Sequence, residues 1–190
     1  MNTSRLNLLF LTLLILFSTS CSRVKVSTGK NYESVRFPDG SVAWLNKNSS
    51  VEFDSEFKER TVKQKGEVFY DVKKSNSPFI VQTSLGEVKV LGTKFNVKSS
   101  GKDIEVEVES GSVELKIDAL VKNIKKGQKA VFHEAEKNIR LAKAEWKHRN
   151  WTKGLEKDFS KLGKDFKKES KKLGREIKKE FNQLKKNTRN

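Results

Sequence analysis

Between about Tyr32 and Phe132 apolar and polar residues alternate with a period of two. Glu87-Val88-Lys89-Val90, Ile104-Glu105-Val106-Glu107-Val108 and Val113-Glu114-Leu115-Lys116-Ile117 each set apolar side chains on one face and charges on the other. Half-buried strands have this pattern. Val68-Phe69-Tyr70 and Phe79-Ile80-Val81 are denser runs and predict more fully buried strands. Turn signals recur at Pro38-Asp39-Gly40, Gly66, Pro78, Gly86, Gly92, Gly101, Gly111 and Gly127. Their spacing, near ten residues, predicts an all-β domain of many short strands. Trp44, Phe69, Phe79 and Phe95 supply the bulk that a thin β core needs, while Glu105, Glu107, Glu109 and Glu114 read as a solvated face.

The two ends break this period. Near the amino end, Arg5 precedes an apolar run from Leu8 to Phe17, interrupted only by Thr12. A membrane span needs roughly 20 apolar residues, so the run fits the core of a secretory signal peptide instead. Ser18-Thr19-Ser20 then leads to Cys21, the single cysteine of the chain. The arrangement resembles a bacterial lipobox, with Ser18 where leucine is usual, and predicts lipidation at Cys21. An acylated mature chain keeps no thiol for a disulfide, so its stability must come from packing. No aspartate follows Cys21, which leans the expected location toward the outer membrane, on the periplasm-facing side of the envelope.

After Glu134 the period changes again. From Leu155 an eleven-residue repeat sets Leu155, Phe159, Leu162, Phe166, Leu173, Ile177, Phe181 and Leu184 at spacings of four, three and four, with Ser170 in the remaining slot. Eleven residues make three helical turns, so the stripe stays on one face of a nearly straight helix. Three readings stay open for this predicted helix. It packs on its own β domain or on another copy; or it lies on anionic lipid, with Phe159, Phe166, Ile177 and Phe181 inserted and Lys167, Lys171 and Lys178 at the phosphates; or it binds an acidic envelope polymer or protein. The joining segment Trp146-Lys147-His148-Arg149-Asn150-Trp151 interleaves rings with cations. Its plainest reading is a pair of tryptophans that clamp the tail onto the β domain.

Composition sharpens the picture. The chain has 190 residues, 40 Lys and Arg against 24 acidic residues, and a net charge of +16. This length allows one domain with a tail, and a hydrophobic content of 35% is too low for a polytopic membrane protein. The charge asks for an anionic partner, yet it is unevenly placed. Residues 143–190 hold 17 basic and 7 acidic side chains, while residues 21–142 carry only +5. Export moves the expected counter-charge from nucleic acid to the envelope.

Several segments together resemble the FecR domain. Phe37-Pro38-Asp39-Gly40-Ser41-Val42-Ala43-Trp44-Leu45-Asn46 is similar to its opening block, with Ser49 and Arg60 following at familiar distances. Lys65-Gly66-Glu67-Val68-Phe69-Tyr70-Asp71-Val72, Pro78-Phe79-Ile80-Val81, Val90-Leu91-Gly92-Thr93-Lys94-Phe95-Asn96-Val97, Gly111-Ser112-Val113 and Lys126-Gly127-Gln128-Lys129-Ala130 supply the later blocks in order. The resemblance implies an elongated, solenoid-like all-β body, whereas the pattern alone equally permits a sandwich. It also implies an envelope module that binds proteins. FecR relatives are usually transmembrane relays with a cytoplasmic segment for an extracytoplasmic-function sigma factor. Only the periplasmic β part is matched here, so that activity is not implied.

Catalytic signals are few. His133 and His148 are the only histidines, and no Cys-x-x-Cys, His-Glu-x-x-His, Gly-x-Ser-x-Gly or phosphate-cradling glycine loop occurs. The expectation is a non-catalytic lipoprotein without metal or cofactor, acting as a protein-binding or scaffolding module. A component of a sigma-regulatory system working through a separate membrane partner is the alternative. The expected organisation is a signal peptide over 1–20, a linker over 21–34, a FecR-like β domain over 35–133, a connector over 134–154 and a basic amphipathic α-helix over 155–190.

Overall fold

The period-two runs become strands where the alternation places them. The computed structural model describes residues 23–153. In chain order the strands are β1 (Arg23–Ser27), β2 (Glu33–Arg36), β3 (Val42–Leu45), β4 (Ser50–Asp54), β5 (Thr61–Asp71), β6 (Phe79–Gln82), β7 (Glu87–Val90), β8 (Lys94–Ser99), β9 (Asp103–Ser110), β10 (Ser112–Ile117), β11 (Leu120–Lys125), β12 (Gln128–His133) and β13 (Asn138–Lys143). Cys21 and the tail residues Phe159, Phe166, Lys167, Lys171, Ile177, Lys178 and Phe181 lie outside the described residues, as do the expected signal peptide and helix.

All thirteen strands belong to one hydrogen-bonded sheet, which branches and folds over at β5. The first half of β5 pairs with β4 and, in parallel, with β6. Its second half pairs with β3 and β8. Sheet I therefore runs β1-β4-β5-β6-β7-β10-β11, and sheet II runs β2-β3-β5-β8-β9-β12-β13. Beyond its pairing with β10, β11 lies close to β9, β12 and β13, so the folded sheet nearly closes into a flattened barrel. The all-β expectation holds. The solenoid does not describe this arrangement, because facing sheets enclose one core and the pairings are antiparallel except for β5 with β6.

Gly66 makes the fold-over possible. The glycine reads as a turn in the sequence, but it lies inside β5 with φ at +81°. A Cβ there would meet Ser49 Cα at 2.8 Å and the Asn48 carbonyl oxygen at 2.9 Å. Only glycine combines this backbone conformation with so close a neighbour. The strand bends at this point and changes sheets.

The core lies between the two sheets. Phe37, Phe53, Phe57 and Phe79 form an aromatic nest, with ring centroids 4.9–5.7 Å apart. Tyr70 stacks on Phe95 at 5.2 Å. Each such side chain contributes on the order of 1.5–3 kcal/mol by burial. Within this apolar volume the Tyr70 hydroxyl donates to Gln64 Oε1 at 2.8 Å, and Gln64 Nε2 donates to the Val97 carbonyl at 2.9 Å. Burial pushes the Tyr70 phenol well above its ordinary pKa.

Two boundaries differ from the sequence reading. β1 starts inside the segment read as a linker and pairs with β4 over its whole length. Past His133, β13 pairs with β12 from Asn138 to Lys143. Edge strands such as β1 are exposed on most of their surface, so their apolar content is too thin to register as a strand in the pattern.

Candidate functional site

Three places gather polar side chains. The first grows from the opening block. Asp39 bonds the backbone of its own turn, accepting from Ser41 N and Ser41 Oγ at 2.8 Å each. Ser41 Oγ in turn accepts from Lys73 N at 3.0 Å. Arg60 comes in from the far side of the β4–β5 loop and pairs with Asp39, while it also donates to the carbonyls of Lys73 and Ser77. A second node joins Asn46, Glu67 and Asn96, whose side-chain amides donate to the two oxygens of Glu67 at 2.8 and 3.1 Å. Both nodes tie separate blocks of the sequence together at partly buried positions. Their geometry accounts for these residue types as architecture, with no substrate needed.

The second place is a groove of about 690 Å³ over sheet I. Glu52, Lys63 and Gln82 form a cross-strand row on its wall, and Phe53, Phe57 and Ile80 give it apolar surface. Charges of both signs alternate along it. Among the described residues, no group of three His, Cys, Asp or Glu side chains is placed to hold a metal.

The third place is the outer face of sheet II. Register aligns Ser34, Trp44, Phe69, Asn96, Glu107, Lys129 and Ala142 in a single row across seven strands. These residues alternate with core positions, so they point away from the core, and yet most are buried. The cause is the segment 144–153, which leaves β13 and turns back across the row. It contains a helical turn over 149–153.

This strap is fastened mainly by side chains. Ala144 N donates to the Gly127 carbonyl and Glu145 N to Glu107 Oε1, each within 2.9 Å. From Arg149 onward its backbone bonds run within the strap itself. His148 stacks on Phe69, with centroids 4.8 Å apart and planes at 14°. Its ring nitrogens face two carboxylates, Nδ1 on Glu107 at 3.2 Å and Nε2 on Glu109 at 3.4 Å. Arg149 pairs with Glu109, and Lys129 pairs with Glu145 and Glu105. Trp151 packs against Val42, Trp44 and Phe69 and lies parallel to Tyr32 at 5.9 Å.

The local charges shift several groups. Burial pulls Glu107 upward, but hydrogen bonds from His148 and from Glu145 N, together with the charges of His148 and Lys129, outweigh it and leave its pKa lowered. Burial likewise opposes the charge on Lys129, and its bond to Glu145 and the nearby carboxylates raise it overall. Glu145, bonded by Lys129 and Lys147, is lowered to about 2.

Two expectations change here. Glu107 was expected in a solvated face with Glu105, Glu109 and Glu114; its side chain does point outward, but the strap buries it to 2% exposure. Trp44 and Phe69 belong to this covered outer cluster, whereas Phe79 and Phe95 are in the main core. His148, read in the sequence as one of two separate histidines and as part of the joining segment, lies at the centre of the contact. Trp151 packs on the β domain, while the tail that the two tryptophans are expected to clamp lies outside the described residues.

The comparisons with known proteins agree with this architecture. No curated protein matches the chain. Two crystal structures of a candidate anti-sigma factor from Parabacteroides distasonis ATCC 8503, at 2.50 and 1.65 Å, are similar to it at 28% identity, with TM-scores of 0.62 and 0.60. The likeness covers 64% and 63% of this chain, and 60% and 59% of those, so the chain spans less than two thirds of their length. The model of the FecR protein family matches residues 24–114, from β1 into β10 and across both polar nodes. Over residues 24–114, just under half of its length, the chain is similar to the FecR protein family.

Proposed function

We propose that this chain is a non-catalytic component of a sigma-factor regulatory system at the bacterial envelope, where it acts by binding protein through a separate membrane partner. The observation that carries the reading is the coincidence of a match to the FecR protein family with a fold similar to a candidate anti-sigma factor. General scaffolding, the first expectation from the sequence, has no comparable support. The polar nodes agree with a binding module, since their charges are spent on the fold rather than aimed into a cleft.

The reading places the β body on the periplasmic side, held through a lipid on Cys21, with the outer membrane as its expected seat. The basic segment from Leu155 onward contacts anionic lipid or a partner through Phe159, Phe166, Ile177 and Phe181 and through Lys167, Lys171 and Lys178. Crosslinking in intact cells, followed by capture of the chain from envelope membranes, tests the functional claim. Recovery of an outer-membrane transducer or a membrane-bound sigma regulator supports it. Recovery of structural lipoproteins and lipid alone overturns it in favour of scaffolding.

A further inference from the structure

The strap crosses from the β13 edge of sheet II to Trp44 on β3, five strand spacings away, or about 24 Å at roughly 4.8 Å per strand. Such a course would suit permanent closure of the sheet, but three features argue against permanence. Its grip on the sheet consists of side-chain contacts, most of them charged, beyond the two backbone donors at Ala144 and Glu145. Trp146 sits at φ +58°, a conformation that a bulky residue adopts only under constraint. Finally, the fit is incomplete. Trp44 Nε1, Asn96 Oδ1 and Trp151 Nε1 are buried without a hydrogen-bond partner among the described residues. Trp44 and Asn96 are only 7% and 3% exposed and belong to the row that the strap crosses. Buried donors and acceptors are nearly always paired, and an unpaired one calls for an explanation.

Uncovered, the row would offer two aromatic faces, Trp44 and Phe69, beside the carboxylates of Glu107 and Glu109, with one unused donor and one unused acceptor between them. We propose that the strap is a releasable occupant of a recognition strip on sheet II, and that the strip's other occupant is a segment of a protein partner carrying aromatic rings around a histidine or arginine. The strap itself has this chemistry, in Trp146, His148, Arg149 and Trp151, but leaves Asn96 Oδ1 and Trp44 Nε1 unmatched. A partner segment that supplies a donor to the first and an acceptor to the second fits better than the strap does. Exchange of occupants also moves the point at which the basic carboxy-terminal segment leaves the body, from the Tyr32 side toward the β13 edge. This inference goes beyond the sigma-regulatory reading and does not depend on it.

The test uses the full chain and a synthetic peptide of residues 144–153 as the probe. Trp151→Ala weakens the strap's far foothold without touching the main core. Because the competing strap must vacate before the peptide binds, the variant is expected to bind the peptide at least about tenfold more tightly than the unaltered chain. Adding Glu107→Gln to that variant should abolish the gain. In the unaltered chain, backbone amides of 149–152 should exchange hydrogen far faster than those of β5 and β9. Equal peptide affinity for the two chains, or no binding to Trp151→Ala while β5 and β9 keep their protection, overturns the recognition strip. Strap amides that exchange only at the rate of global unfolding overturn its release.

Discussion

Arg60 meets Asp39 through two guanidinium nitrogens on one carboxylate oxygen, with Nε at 2.9 Å and an Nη at 2.8 Å from Oδ2. The same Arg60 caps the carbonyls of Lys73 and Ser77, and its side chain is 7% exposed. The pair thus connects the β2–β3 turn, the β4–β5 loop and the chain leading into β6. Asp39→Ala would leave a guanidinium buried without its counter-charge, a loss of about 3–5 kcal/mol. Adding Arg60→Met to that variant should recover part of the loss, since no orphan charge then remains. Urea unfolding of the three chains, compared at constant m-value, measures both effects.

Gly66→Ala should be costly for a different reason. The position requires a left-handed backbone, and the new methyl would press on the backbone of Asn48 and Ser49. Backbone strain alone contributes about 1–3 kcal/mol, and the collision adds to it. Because the bend in β5 joins the two sheets, the lowered stability is expected in a single cooperative transition seen equally by near-ultraviolet circular dichroism and by fluorescence. Separate transitions for the two probes would show that the sheets do not depend on this bend.

How far the sequence reveals this architecture depends on how local each cause is. Asp39-Gly40 announces its turn, because the side chain that closes the turn is one residue from the glycine that permits it. The runs around Val88, Val106 and Leu115 announce their strands by alternation alone. Glu107 could not be read in that way. Its outward direction follows from its neighbours, but its burial is caused by His148, 41 residues later. The same holds for Trp44 and Phe69, whose bulk suggests a core without saying which side of the sheet is covered. Gly66 looks like a turn because a glycine at positive φ within a strand and one in a loop have the same local signature. The polar nodes lie across segments far apart in the chain, so the sequence shows the residue types without their pairing.

The strap should respond to pH on both sides of neutrality. Glu107 and Glu145 have lowered pKa values, so their contribution is complete above the ordinary carboxylate range. It is lost as pH falls, for Glu145 toward about 2. The pKa of Lys129 is raised, so its contribution is complete below the ordinary lysine value and disappears only as pH rises through the raised one. Glu107→Gln should flatten the acid limb while leaving the alkaline limb in place. Tryptophan fluorescence followed from pH 7 to 2, and separately from 7 to 12, detects the loosening of Trp151. An unaltered acid limb in Glu107→Gln would assign that limb to other carboxylates.

Lipid contact by the basic tail can be separated from the anchor. In a Cys21→Ser chain, remaining affinity for vesicles of phosphatidylglycerol reports on the protein surface alone. Each cation near such a surface is worth about 1 kcal/mol, and salt weakens the attraction. Lys167→Glu, Lys171→Glu and Lys178→Glu together should therefore reduce vesicle co-sedimentation by well over tenfold at low salt. Equal sedimentation before and after the triple change would transfer the tail's role to a protein partner or to the β body.

The position of β1 adds a constraint on the anchored state. Only Ser22 stands between Cys21 and Arg23, and Arg23 is already paired opposite Asp54 on β4. At no more than about 3.6 Å per residue, the sheet begins within about 7 Å of Cys21. A lipid on Cys21 would therefore hold the body against the headgroups, with the Arg23 end of β1 facing the membrane. Cys21→Ser should move the chain from the membrane fraction to the soluble one. Neutron reflectometry on a supported bilayer should find the protein layer directly on the headgroups, and ten Gly and Ser residues inserted between Ser22 and Arg23 should open a hydrated gap. A gap already present without the insertion would mean that β1 detaches from β4 when the chain is anchored, and that the segment then serves as the linker its sequence suggests.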